Sequence, residues 1–522
     1  MPVSKNPGAG PARPPQARVQ RNEERILDAI VEVAGTGGWA DLSVAAVSRS
    51  AGLSPKAVHD RYEDRSALAA AAWTNRCGPV LRAALAEVLS AAGALEPGSS
   101  SPARLPTVQQ AAAQRHFGGT SAIPPSAEPW EKVRRAIHAA ASKASDTQSG
   151  NVPALSDEQT SSVADLREAT DALLSSLEVA ESAAFAVRLA ELRAAGPSAE
   201  WLTIALDVFA RPSTAIRAAT ELVIASQFDP ALAKAVARQL ATTVQVWCTP
   251  VRKNPTPEIA AKRAYLLCLA LGLVLAHVRA DAAELELGDQ QQSLFEALST
   301  SRAPVALPKA RAKYLDASVA FDTGDIALDS LLQATLDEVA ARGFDGATTS
   351  SIARAAGCSD GLIFARYPSK LALFLDASKR QQAISFRNYD AYQTEVRTKH
   401  GMGIADAVAI REVQRPHVSA QRATYLEQIR ISWHDDELQL ALVAEFDQFV
   451  ADATAADPAW APANSPANLH VSIALGFGLS LLPVLHPEAW SLPYDVVTMP
   501  LAERSPAHCP VRTVTNTNAT NT

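Results

Sequence analysis

Residues 26–68 and 331–373 of this 522-residue chain align without a gap at a constant offset of 305, so one architecture has to account for both segments. Eleven of the 43 positions are identical: Leu27/Leu332, Ala29/Ala334, Gly38/Gly343, Arg49/Arg354, Ala51/Ala356, Gly52/Gly357, Ser54/Ser359, Arg61/Arg366, Tyr62/Tyr367, Ala67/Ala372 and Leu68/Leu373. Conservative pairs such as Trp39/Phe344, Ser43/Thr348, Val47/Ile352 and Arg65/Lys370 lie between them. Most of the matches are not alanine, the residue that chance would favour here. A weaker repeat lies further along. Ala270-Leu271-Gly272 resembles Ala474-Leu475-Gly476 at offset 204, and Glu221, Ser226, Asp229 and Leu232 match Glu427, Ser432, Asp435 and Leu438 at offset 206. The fall in offset gives the first half about 100 additional residues, and the Pro/Ser/Gly/Ala-rich tract near 96–153, without sustained helical periodicity, is where a disordered insertion is expected.

Apolar residues make up 48% of the chain and aromatics only 6%, which favours helices packed through small side chains over strands. An all-α fold is expected. The net charge of −7 confines any nucleic-acid surface to a local patch. Cys77, Cys248, Cys268, Cys358 and Cys509 are scattered and lack CxxC spacing, which fits a reducing cytoplasm better than a disulfide framework or a zinc site. The N-terminus carries no apolar stretch of the kind an export signal needs. The most apolar segments, Tyr265–Val278 and Val471–Leu485, fall short of a membrane span and read as buried core helices. With no Gly-rich phosphate loop, His/Cys metal spacing or nucleophile elbow, neither an enzyme nor a bound metal or cofactor is expected.

In the first copy, Ile26, Leu27, Ile30, Val31, Val33 and Ala34 recur at helical spacing up to Gly37-Gly38. Ser43 stands as N-cap of a short helix from about Val44 to Ser50, Gly52 makes the turn, and Ser54-Pro55 opens a third helix running to about Tyr62. The second copy repeats this with Leu331–Ala341, Gly343, Thr348 as cap, the Ala356-Gly357 turn, and Ser359 as cap of a helix ending near Tyr367. Two short helices joined by a glycine turn form the unit that places its second helix in a DNA major groove.

This pattern resembles the TetR/AcrR regulators. The second copy, Ala356-Gly357-Cys358-Ser359-Asp360-Gly361-Leu362-Ile363-Phe364-Ala365-Arg366-Tyr367-Pro368-Ser369-Lys370, is similar to the family motif, and the first, from Ala51 to Arg65, matches more loosely. The resemblance implies two tandem units. Each has a three-helix DNA-binding module followed by a helical bundle that binds a small-molecule effector and pairs through its last two helices. Carried over by position, the family's phosphate-contacting aromatic falls on His59 and Phe364, and its helix-opening lysine on Arg65 and Lys370, the expected phosphate clamps, with Arg61 and Arg366 beside them. The expected DNA-facing set is Ser43, Ser54, Pro55, Lys56, His59, Arg61 and Arg65 in the first module, and Thr348, Ser359, Asp360, Gly361, Phe364, Arg366 and Lys370 in the second.

Trp39, Phe344, Tyr62 and Tyr367 occupy apolar positions and read as core packing. Arg49 and Arg354 read as solvated charges. From Asp325 to Arg380 six Arg/Lys stand against seven Asp/Glu, so loss of DNA binding by the second module is an alternative, whereas the arm of the first carries Lys5, Arg13, Arg18, Arg21 and Arg25. Trp201 and Phe209 in the first half, with Tyr425 and Trp433 in the second, are candidates to line an effector pocket, and His434 is a further one. Ala260–Val278 and Leu469–Leu485 read as interface helices whose glycines Gly272, Gly476 and Gly478 permit close approach, preceded by Ile216–Phe228 and Ala423–Trp433.

The expected domains are a flexible basic arm (1–20), a first DNA-binding domain (21–70), a first regulatory domain (71–300), a linker (301–324), a second DNA-binding domain (325–374), a second regulatory domain (375–504) and a disordered tail (505–522). The expected function is a cytoplasmic, effector-responsive repressor. It would bind double-stranded DNA through pairing of its two halves within one chain, on a non-palindromic operator. Pairing between chains is the alternative assembly, and a sensing or scaffold protein without DNA binding is the alternative function.

Overall fold

The computed structural model describes residues 15–94, 188, 190–250, 255–276, 290–309, 321–444 and 466–504. The chain divides into two compact units, residues 1–101 with 196–522 and residues 102–195; nearly all of the second lies outside the described residues, as do the expected insertion and the tail. Among the described residues every regular element is a helix.

The first three-helix segment is built from Pro15–Thr36, Val44–Ala51 and Pro55–His59, with a single helical turn, Gly38–Asp41, after the first helix. Ile26, Leu27, Ile30 and Ala34 bury one face of the long helix, and Val47, Val58 and Leu68 close the core from the short helices and from Arg65–Ala72. Ser43 Oγ accepts the Ala46 amide and Ser54 Oγ the Ala57 amide, both at 3.2 Å, which stabilises each short helix by about 1 kcal/mol. Gly52 turns the chain at φ 59°, and the Arg25 guanidinium covers the end of the preceding helix by donating to the Ala51 and Gly52 carbonyls. The second segment has Ile326–Gly346, Thr349–Ala355 and Asp360–Arg366. Thr348 and Ser351 form a reciprocal capping box, and Leu331, Leu332, Val339, Ile352, Ile363, Leu373 and Phe374 make its core.

The distal helices carry the second repeat bond for bond. Asp229 accepts the Leu232 amide at 2.8 Å and Asp435 the Leu438 amide at 2.9 Å. Ser226 Oγ donates to the Val223 carbonyl at 2.7 Å and Ser432 Oγ to the Ile429 carbonyl at 2.6 Å. Helix Pro257–Ala276 crosses Pro466–Leu485 at very short range, because Gly272 lies against the Ala474 carbonyl and Gly478 against the Cys268 carbonyl, with no room for a Cβ at either glycine. Gly476 differs from expectation: a Cβ there would meet open space, so two glycines, not three, make the crossing.

Other differences are instructive. The first helix starts at Pro15, inside the segment expected as a flexible arm, so Arg18, Arg21 and Arg25 are helical residues. The segment expected as a linker is tied down along 301–308: Arg302 pairs with Glu503 at 2.6 Å, the Val305 amide donates to Asp495 at 2.8 Å, and Arg411 donates to the Pro308 carbonyl at 2.6 Å. The segment around Tyr265 extends to a 20-residue helix, Pro257–Ala276, long and apolar enough to cross a membrane, and nearly all of its apolar window is buried inside the protein. Its amino-terminal turn is polar but not solvated: Lys262 pairs with Glu258 at 2.7 Å and reaches the Thr300 carbonyl at 2.8 Å.

Candidate nucleic-acid interface

Both recognition-position helices expose the faces expected to meet DNA. Ser54, Pro55, Lys56 and His59 are exposed in the first, and Ser359, Asp360, Gly361, Phe364 and Arg366 in the second. They hold them differently. Pro55–His59 is little more than one turn, fixed by the Ser54 cap and by Val58 in the core. Asp360–Arg366 lacks a side-chain cap from Ser359, and its first residue is held by Ser350 Oγ, which donates to Asp360 at 2.6 Å. Lys56 shares an exposed pair with Asp60 at 3.3 Å, too weakly held to keep the ammonium from a phosphate or a base edge. Phe364 stands 59% exposed, an apolar ring on a polar face.

The two arginines at the ends of these helices are already engaged. Arg61 donates to the Ala57 carbonyl at 2.7 Å and pairs with Glu23, which also accepts the Tyr62 hydroxyl. Arg366 pairs with Asp325 at 2.6 Å, and this contact with two backbone amides holds the Asp325 carboxyl below its ordinary pKa. The Tyr367 hydroxyl donates to Asp376 at 2.6 Å, and burial with that hydrogen bond pushes its phenol pKa up.

Arg65 and Lys370 have the same surroundings. Arg65 donates to the Trp39 carbonyl at 3.1 Å with its guanidinium 4.8 Å from the Trp39 ring centre. Lys370 donates to the Phe344 carbonyl at 2.6 Å and the Ala347 carbonyl at 2.8 Å, with Nζ 4.1 Å from the Phe344 ring centre. Both of these expected phosphate clamps are half-buried; burial lowers the Lys370 pKa, and Asp345 and Glu427 partly offset it. Each cation therefore anchors the aromatic next to the positive-φ glycine, Gly38 after the first helix of one module and Gly343 at the kink in that of the other. A lysine has three donors, so Lys370 keeps one proton beyond its two carbonyls for a phosphate.

The sequence reading missed the groups beneath these aromatics. Glu221 accepts the Trp39 amide at 2.6 Å, and Glu427 accepts the Phe344 amide at 2.6 Å. Between the two carboxylates lies Arg430, 3.0 Å from Glu221 and 2.7 Å from Glu427, with a further contact of 2.8 Å to Asp345. The signal was a glutamate at one repeat position in two helices, the largely apolar Thr214–Ala225 and the more polar Ser419–Ser432, buried in both. His434, expected near a pocket, stands 3.7 Å from Glu221 and 3.1 Å from the Thr36 carbonyl.

Of the pocket candidates, Trp201 and Phe209 are buried on helix Ala199–Ala210, with Trp201 Nε1 donating to Glu87 at 2.7 Å. The Tyr425 ring packs at a tilt against Phe477, centroids 5.6 Å apart, and Trp433 follows the end of its helix. Among the described residues no three His, Cys, Asp or Glu side chains gather as metal ligands.

Residues 331–377 match the family described as Bacterial regulatory proteins, tetR family. The matched stretch is the second copy of the repeat, from the buried end of its first helix through the glycine turn to Ala377. This match supports a DNA-binding transcriptional regulator of the TetR family. No curated protein matches the chain.

Proposed function

We propose that the chain is an effector-responsive transcriptional repressor of the cytoplasm, with two TetR-like units in tandem that pair within one polypeptide and read a non-palindromic operator. The observation that carries this reading is the shared seat of the two modules. Trp39 and Phe344 occur at one repeat position, each under a cation from the following helix and each with its amide on a buried glutamate of a distal helix. The crossing of Pro257–Ala276 with Pro466–Leu485, one helix from each half, supports pairing in cis. A covalent connection makes that pairing independent of concentration.

The two recognition helices present unlike groups. Lys56 can donate to guanine O6 and N7, Asp360 can only accept, for instance from cytosine N4, and Phe364 can meet a thymine methyl. Palindromy mirrors identical modules, so unlike ones favour an asymmetric site. The test is binding to duplexes from the gene's upstream region over a salt series, followed by selection from a random duplex library. A steep loss of affinity with salt and an asymmetric selected site are the expected results. A clean inverted repeat would favour pairing between chains.

The acidic opening of the second recognition helix and its exposed Phe364 favour a second reading, a sensor of the same fold whose second module no longer binds DNA. Absence of duplex binding even at low salt would favour that reading.

A further inference from the structure

We propose that Arg430 is a positioning residue that holds the two DNA-binding modules at a fixed separation through a buried ion cluster shared by both. The proposal rests on the regulator reading only for the word DNA-binding; the mechanical role stands on geometry. The Trp39 amide reaches Glu221 at 2.6 Å, Glu221 meets Arg430 at 3.0 Å, Arg430 meets both oxygens of Glu427 at 2.7 and 3.0 Å, and Glu427 accepts the Phe344 amide at 2.6 Å. One unbroken path of charge-assisted hydrogen bonds thus joins the backbone of the first module to that of the second. Arg430 is 3% exposed and the two glutamates 1%.

Geometry makes this path stiff. A guanidinium carries five N–H groups in a planar fork, so the carboxylates it holds are fixed in direction as well as distance. At the module ends, Gly38 and Gly343 have φ 72° and 71°, a conformation that turns the following amide toward its carboxylate. Neighbours crowd both glycines. A Cβ on Gly38 would meet Glu221 Oε1 at 3.0 Å and collide with the His434 ring, and one on Gly343 would meet Phe228 at 2.9 Å and Glu427 Oε2 at 3.2 Å. Phe228 and His434 are repeat counterparts, and each leans on the module of the other half. The seat of each module is therefore made from both halves.

A cluster whose only task was to hold the fold together has cheaper apolar substitutes. Two half-sites on a duplex have a set spacing, and a reader of both must keep its recognition helices at that spacing. Arg430 supplies that constraint.

The test uses the full chain with C358S and C509S and with spin labels at H59C and F364C, one on each recognition helix. Pulsed dipolar spectroscopy without DNA should give one narrow distance distribution in this parent and a broadened or split one in R430Q, with helix content retained. Equal widths would overturn the proposal. Should R430Q fail to fold, R430K decides: it keeps the buried charge but loses the planar fork that holds both carboxylates, and a distribution as narrow as the parent's would overturn the positioning role. In the unlabelled protein, duplexes whose half-sites are shifted by one base pair should differ about tenfold in Kd for the parent and far less for R430Q. If the parent binds no duplex, the regulator reading falls while the distance measurement still decides the positioning role.

Discussion

Arg430 and Glu221 lie 209 positions apart in the chain and meet at 3.0 Å, almost wholly withdrawn from water. Burial pushes the Glu221 pKa up, but Arg430, His434 and the Trp39 amide together outweigh it, so the carboxyl titrates below its ordinary value. A carboxylate depressed in the folded state contributes stability that is present above its unfolded pKa of about 4.3 and is lost as pH falls through the folded value. Urea midpoints measured from pH 7 down to acid should therefore fall more steeply below about pH 4.3 in the parent than in E221Q. Parallel curves would show that Glu221 is not a source of the acid lability.

The crossing of the two long apolar helices makes a prediction with its own control. G272A and G478A each drive a methyl into a carbonyl of the opposite helix and should cost about 1–3 kcal/mol or more of stability. G476A meets open space on a helix and should gain about 0.5–1 kcal/mol. Chemical denaturation of the three variants tests the pattern, and an equal loss in all three would contradict it.

Lys370 gives the fold two hydrogen bonds and is proposed to contact a phosphate as well. K370A leaves the Phe344 and Ala347 carbonyls without their donor and should lower stability by about 1–3 kcal/mol. R65A removes one longer hydrogen bond and should cost about 1 kcal/mol. Both variants, under folded conditions, should also make the salt dependence of duplex binding shallower by about one unit. Unchanged binding at every salt concentration would remove Arg65 and Lys370 from the phosphate contacts.

Burial pushes the Cys77 and Cys248 thiols up to about 12 and the Cys268 thiol well above its ordinary value, while Cys358 is only half-buried. In the C509S chain, a thiol reagent at pH 8 should therefore modify Cys358 and leave Cys77, Cys248 and Cys268 intact until denaturant is added. Rapid modification of Cys268 in the native protein would contradict its place at the helix crossing.

Much of the fold was legible because its signals are local. Ser43, Ser54 and Thr348 announce their helices through caps, and Gly52 its turn, within a few residues of sequence. Ser359 looks the same in sequence yet makes no cap, and the contact at that helix start is instead Ser350 of the preceding helix donating to the Asp360 carboxylate. The ion cluster escaped for a related reason. Arg430 has carboxylate partners both three and 209 positions away, and only tertiary packing decides that the distant one shares its guanidinium. Lys370 and Arg65 were found as cations at the right helix ends, but their exposure depends on how an aromatic 26 positions earlier folds beneath them.

Position 224, the repeat counterpart of Arg430, is isoleucine, and it is buried. Two identical subunits about a twofold axis contribute every side chain in pairs, so no homodimer can share a single asymmetric guanidinium between two carboxylates in this way. It would bring either two arginines or none. A chain that carries both copies escapes that parity. Each substitution is made once, and a residue at the junction need suit only the neighbour it meets. Symmetry between the copies then no longer binds the junction, and a residue such as Arg430, present on one side alone, makes a second copy of the other side a poor replacement for it.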